Sequence, residues 1–139
     1  MGYTHYWTID LPIPWESWEA IVTDARKLFA STAQPIQFEY DNASAPVADD
    51  ARIRFNGRGD NGYETFVFDR YGEQQSCKTG GRPYDVVVCA VLAAVHDRAP
   101  KSVTVESDGD ANDWAPALAW GSLVLGRTLR FPVCAQAST

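Results

Sequence analysis

Tyr84-Asp85-Val86-Val87-Val88-Cys89-Ala90-Val91-Leu92-Ala93-Ala94-Val95-His96-Asp97-Arg98 is apolar on nearly every side, and its conformation decides the fold class. The valines would suit a buried strand. The length would not, because strands run about four to eight residues. Asp85 at the start, His96 and Arg98 near the end and Pro100 beyond are helix signals. The stretch therefore reads as a buried helix over 84–98. A helix with apolar side chains all round needs cover on every side, which a sheet and neighbouring helices supply.

Working outward, residues 102–106 (Ser-Val-Thr-Val-Glu) alternate as a strand, and Ser107-Asp108-Gly109-Asp110 is a turn. Asn112 or Asp113 is expected to cap a last helix carrying Trp114, Leu118, Trp120, Leu123 and Leu125. Pro116 falls in its tolerated first turns, Gly126 stops it, and 129–131 is expected as a short edge strand. Upstream, Tyr3, His5, Trp7 and Ile9 share one face of an alternating strand, with Thr4, Tyr6 and Thr8 on the other. Pro14 opens a helix whose inward face is Trp15, Trp18, Ile21, Val22, Ala25, Leu28 and Phe29. Strands are expected at 36–40, 52–55 and 64–70, a polar loop at 41–50, a hairpin loop at 56–62 and irregular chain at 71–81. The expected fold is α+β: one compact domain over 1–139, a mostly antiparallel sheet with about three helices packed on it.

The chain has 139 residues, 45% of them hydrophobic, which suits one domain with its own core. Three cysteines without a CxxC pair argue against a disulfide scaffold or zinc ribbon and for a reducing cytosol. A net charge of -6 argues against duplex nucleic acid, which needs a basic footprint. The opening Met1-Gly2-Tyr3-Thr4-His5 has no features of a signal peptide, and the apolar run 86–95 is too short to span a bilayer, so membrane association is not expected.

The most ligand-like segment is Cys77-Lys78-Thr79-Gly80-Gly81-Arg82-Pro83-Tyr84-Asp85. Two glycines allow backbone to approach a ligand, a helix N-terminus stands behind them, and Lys78, Arg82 and the Thr79 hydroxyl suit a phosphate or carboxylate. The spacing is not that of a Walker A loop. An ordinary loop with solvated cations is the competing account. His5, among aromatics, could meet phosphate or move a proton, and Trp7 could stack on a base. For both, a place in the core is the favoured reading. Arg52 and Arg54 share a strand face, which reads as a solvated face paired with acids such as Glu64.

Other chemistry has less behind it. Residues 108–113 are acidic, but the glycine and glutamate that a calcium loop requires are missing. Arg58-Gly59-Asp60 reads as a chance tripeptide. Cys77 with His5 or His96 is the one nucleophile–base pairing, without an identifiable orienting group. The two histidines lie far apart with no HExxH spacing, so no metal ligand, cofactor or catalytic residue is assigned.

Gly2-Tyr3-Thr4-His5-Tyr6-Trp7, then Cys77-Lys78-Thr79 with Arg82-Pro83-Tyr84-Asp85, then Ser107-Asp108-Gly109 with Asp113-Trp114, resemble in this order a family of small phage and prophage proteins. The resemblance carries over no activity. A phage setting implies work in the cytoplasm of an infected bacterium, such as sequestering a cyclic nucleotide or cyclic ADP-ribose type immune signal. The expected partner is thus a small phosphorylated ligand, held by His5, Trp7, Lys78, Thr79, Arg82 and Tyr84, with a homo-oligomer closing the pocket. An enzyme acting on a nucleotide or nucleic acid and an inhibitor of a host protein are the alternatives. The lack of an assembled catalytic set ranks the enzyme below the binder.

Overall fold

The computed structural model describes residues 3–133; Gly2 of the opening block and Cys134 lie outside the described residues. The elements are β1 (Thr4–Ile9), α1 (Trp15–Ser31), β2 (Ile36–Gln37), β3 (Val47–Ala48), β4 (Arg52–Gly57), β5 (Phe66–Asp69), β6 (Gln74–Lys78), α2 (Asp85–Arg98), β7 (Val103–Ser107) and α3 (Ala111–Leu125). The fold is α+β, with every strand ladder antiparallel. No helix among the described residues is long and apolar enough to cross a membrane.

Two small sheets lie side by side. In one, β1 runs between β6 and β7. In the other, Arg54 of β4 pairs with Val47 of β3 and with Val67 of β5, so these flank it. Side chains join the sheets where a ladder is missing. The Gln75 amide accepts from Asp69 N at 2.6 Å and donates to Asp69 O at 3.0 Å. Glu64 Oε1 accepts from Lys78 N at 2.7 Å, while Lys78 O accepts from Glu64 N at 3.2 Å.

The period-two pattern of β1 holds: His5 and Trp7 are buried and Thr8 is exposed. The inward faces meet in an aromatic seam. Trp7 stacks on Phe68 at 5.6 Å between ring centroids, Trp18 stacks on Phe68 at 6.0 Å, and Phe55 touches Phe66 at 5.2 Å. Over this seam lies α2, whose residues 87–95 are all buried. It packs against α1, α3 and β7, which is why its sequence has no polar side. A Cβ on Gly121 of α3 would come within 3.2 Å of the Ala90 Cβ and 2.8 Å of Leu129, so glycine lets the two helices cross closely.

Several expectations are corrected. The strand expected at 36–40 keeps only two residues, because Phe38 N and Glu39 N turn to Ser44 O and Asn42 O. The loop at 41–50 contains β3, and the segment 71–81 contains β6, a full partner of β1. The cap of α3 is Asp110, whose side chain accepts from Asp113 N at 3.0 Å while Asp113 accepts from Asp110 N at 2.9 Å. No strand forms at 129–131; instead Val133 makes one parallel bridge to Val105. Arg54 pairs with Glu39 and lies over Phe38, rather than meeting Glu64.

A charge cluster around the buried Asp24 ties the helices at the far end of α2. Asp24 of α1 accepts from Arg98 Nε at 2.9 Å and from Arg127 Nη2 at 2.7 Å, and Arg127 Nε also reaches Asp97 at 2.8 Å. Burial alone would raise the Asp24 carboxyl, but hydrogen bonds from Arg98 and Arg127 outweigh it and hold it below its ordinary value. A depressed folded value stabilises the protein above the ordinary carboxylate value of about 3.9, and that contribution is lost as pH falls through the folded value. Asp24→Asn is therefore expected to cost about 3 kcal/mol in urea unfolding near neutrality. The gap between the two proteins should narrow as pH is lowered from about 5 towards 2.

Candidate functional site

The turn between β6 and α2 has an inner and an outer side, and they differ in chemistry. On the inner side His5 is wholly buried on β1, with the Tyr3 and Trp114 rings at its edges, each 5.1 Å away. A buried imidazole needs partners for both nitrogens. Its Nδ1 lies 2.8 Å from Ser107 Oγ on β7, and its Nε2 lies 2.7 Å from Asp85 Oδ1 in the first turn of α2.

The neighbours of Ser107 settle which nitrogen carries the hydrogen. Ser107 Oγ accepts from Gly109 N at 2.9 Å and from Trp114 Nε1 at 3.1 Å, which uses both lone pairs. Its own hydrogen then points to His5 Nδ1, and His5 donates from Nε2 to Asp85. Asp85 also receives the Thr79 hydroxyl on Oδ1 at 2.6 Å and the Cys89 thiol on Oδ2 at 3.5 Å. Cys89 Sγ lies 3.5 Å from His5 Nε2 as well. Burial, and then the Asp85 carboxylate, push the Cys89 thiol well above its ordinary value.

This is a serine–histidine–aspartate series in composition, but it does not present a nucleophile. Ser107 has no lone pair free to attack. Cys77 does not serve either: burial pushes its thiol up to about 12, and its Sγ lies 3.5 Å from Glu64 O and 3.7 Å from the Tyr84 hydroxyl. His5 approaches Cys89 instead, and His96 sits at the other end of α2. Of the inner cluster, Asp85 reaches the surface, its side chain 17% exposed. It lines a cleft of about 230 Å³ between the first turns of α2 and α3, together with Arg82, Val86, Asp113 and Ala117. Burial, and then the Asp85 carboxylate, raise the Tyr3 hydroxyl above its ordinary value.

The backbone of the turn is satisfied internally, which corrects the expectation of an open anion cradle. Thr79 N and Gly80 N both donate to Tyr3 O, at 3.1 and 3.2 Å. Gly81 N donates to Thr79 Oγ1, Arg82 N to Thr79 O and Asp85 N to Arg82 O. Gly80 and Gly81 take left-handed φ values of 62° and 69°, so their role is to reverse the chain.

On the outer side two cations converge. Lys78 Nζ and Arg82 Cζ each lie 5.5 Å from the centroid of the Tyr63 ring, which is 46% exposed. Arg82 Nη1 donates to Asp60 O at 3.1 Å. The loop that carries Tyr63 is held by buried Asn56, which donates to Tyr63 O at 2.9 Å and accepts from Tyr63 N at 3.1 Å.

The six residues expected to hold a ligand therefore divide. Lys78 and Arg82 come together at the surface. His5, Trp7, Thr79 and Tyr84 are buried at 0–1% exposure and do not line that surface. His5 and Thr79 join the Asp85 cluster, Trp7 stacks in the aromatic seam, and burial raises the Tyr84 hydroxyl while it donates to Glu64 O. Sequence reasoning missed Tyr63, Asp85 as an acceptor, Cys89 and Ser107. The spacing of Asp85 and Cys89, four apart on one helix face, was the available signal.

Two outcomes test this geometry. Ser107→Ala removes the oxygen that serves three groups, and should cost about 2–3 kcal/mol in urea unfolding. Thr104→Ala, which removes an exposed hydroxyl on the same strand, should cost less than about 1 kcal/mol. In a Cys134→Ser background, a thiol reagent near neutral pH should label Cys77 and Cys89 only as fast as the protein opens. No protein-family model matches the chain, and no curated protein and no solved structure matches it either.

Proposed function

We propose that the chain is a binding protein for a small phosphorylated, nucleotide-like ligand, taken at the outer side of the β6–α2 turn. The observation that carries this reading is the convergence of Lys78 and Arg82 on the exposed Tyr63 ring. A protein with a net charge of -6 here brings two cations to one aromatic ring. The ring offers a face or edge to a base, and the cations offer charge-assisted donors to phosphate. The closed backbone leaves recognition to side chains, so the ligand's charge and its flat ring system would be read, rather than a phosphate cradled by amides.

In this reading the protein sequesters its ligand and returns it intact. In the phage setting that the sequence resemblance implies, the ligand would be a cyclic nucleotide or cyclic ADP-ribose type signal. A second copy facing the clamp would give the ligand its other wall.

Native mass spectrometry with a panel of cyclic nucleotides and cyclic ADP-ribose isomers tests this. Stoichiometric retention of one intact ligand class is expected, and the same spectrum gives the oligomer mass. Lys78→Ala and Arg82→Ala should each weaken binding by about 10- to 100-fold, the worth of one charge-assisted hydrogen bond. Ligand recovered in altered form would replace the binder with an enzyme, and a panel without binding would remove the reading.

A further inference from the structure

Three side chains that the outer clamp does not use meet at the buried end of Asp85. His5 Nε2, an Asp85 carboxylate oxygen and Cys89 Sγ all lie within 4.8 Å of one another, and His5 and Cys89 are buried. We propose that these three form a site for a divalent transition metal, with zinc the best fit. This site is independent of the ligand reading above.

The donor set is one imidazole, one carboxylate and one thiol, the mix that zinc takes in proteins. The distances suit it. With zinc–sulfur bonds of about 2.3 Å and zinc–nitrogen or zinc–oxygen bonds of about 2.0 Å, a tetrahedron has sulfur–nitrogen and sulfur–oxygen edges of about 3.5 Å. Cys89 Sγ stands 3.5 Å from His5 Nε2 and 3.5 Å from Asp85 Oδ2. The Nε2–Oδ1 contact of 2.7 Å is a hydrogen bond. Binding through Oδ2 requires that bond to open.

The surroundings hold the ligands in place. Ser107 Oγ fixes the far nitrogen of His5 at 2.8 Å, and the Thr79 hydroxyl fixes Asp85 Oδ1 at 2.6 Å. Such outer partners aim metal ligands and set the histidine tautomer. Asp85 and Cys89 come from one turn of α2, and His5 comes from the central strand β1, so all three sit on regular elements. Asp85 lines the cleft between α2 and α3, which is the way in for an ion.

The protons balance. Cys89 releases its thiol proton to solvent and binds as thiolate. His5 keeps one proton, which moves from Nε2 to Nδ1, where Ser107 Oγ accepts it. Ser107 then stops donating to His5 and accepts from it, so its own hydrogen must turn to another acceptor and one of the two donors already on its oxygen must loosen. Trp114 Nε1, at 3.1 Å, makes the longer of those two contacts. Metal uptake is thus tied to the indole of Trp114.

The test uses chelator-treated full-length protein titrated with cobalt(II) as the probe, followed by competition with zinc. One cobalt per chain is expected, with a sulfur-to-metal charge-transfer band, tetrahedral visible bands and a changed Trp114 indole N–H resonance. Cys89→Ser, close in shape to the parent, should lose the charge-transfer band and at least 100-fold in affinity. His5→Gln should do the same in affinity, with circular dichroism confirming that both variants fold. Cys77→Ser and Lys78→Ala should leave the titration unchanged, which separates this site from the outer clamp. Failure to take up one cobalt per chain, or an unchanged band in Cys89→Ser, would overturn the proposal.

Discussion

His5 is an imidazole with no exposure to solvent, and the centre of the molecule is built around satisfying it. A buried polar group left without a partner costs on the order of 1–3 kcal/mol, so both ring nitrogens have to be met by something. The partners come from different elements: Ser107 from β7, Asp85 from α2, and Trp114 of α3 through the serine oxygen. These contacts exist only when β1 and β7 pair in their observed register and when both helices are docked. The same few bonds therefore act as a check on four elements at once, while the aromatic seam and α2 supply apolar burial without that selectivity.

That arrangement explains the shape of the β6–α2 turn. Drawing the Asp85 carboxylate inward to His5 brings Thr79 with it, since the threonine hydroxyl donates to the same oxygen. With Thr79 buried, the next residues must reverse the chain quickly, and two successive glycines with left-handed φ do so. Their amides are taken up by Tyr3 O and by Thr79 Oγ1. Lys78 and Arg82, on either side of the buried threonine and the glycines, are left to face outward to Tyr63. Turning Asp85 inward to His5 thus leaves both cations towards Tyr63, while Arg82 also lines the cleft that Asp85 reaches.

The parts of the fold legible in the sequence are those where local pattern and burial agree. The helix at 84–98 could be read because length and end charges outweighed valine content, and β1 could be read because its alternation is strict. The segment Gln74-Gln75-Ser76-Cys77-Lys78 could not, because four of its five residues are polar and it becomes a strand only by pairing with β1. Its stabilisation lies in the ladder and in the Gln75 and Glu64 bridges, neither of which has a periodic signature. The same holds for the site. Lys78 and Arg82 are visible as cations near a helix start, but Tyr63 joins them only through the long-range fold of the Asn56 loop. Thr79 and Tyr84 looked like ligand groups because their polar atoms were counted, whereas the fold turns those atoms to Asp85 and Glu64.

The division between the two sides of the turn also separates the groups that carry chemistry. Catalysis by the inner cluster would need a group that is both reactive and reachable, and the geometry keeps these apart. Ser107 is saturated, Cys77 and Cys89 are buried with raised thiol values, and Asp85, the member that reaches the cleft, is held by three donors. A carboxylate so held is a well-aimed ligand, since its orientation is set. On the outer side the cations and the ring are reachable, and they offer charge-assisted donors and an aromatic surface. The two proposals, an anion held outside and a metal ion held inside, draw on these separate sets of side chains.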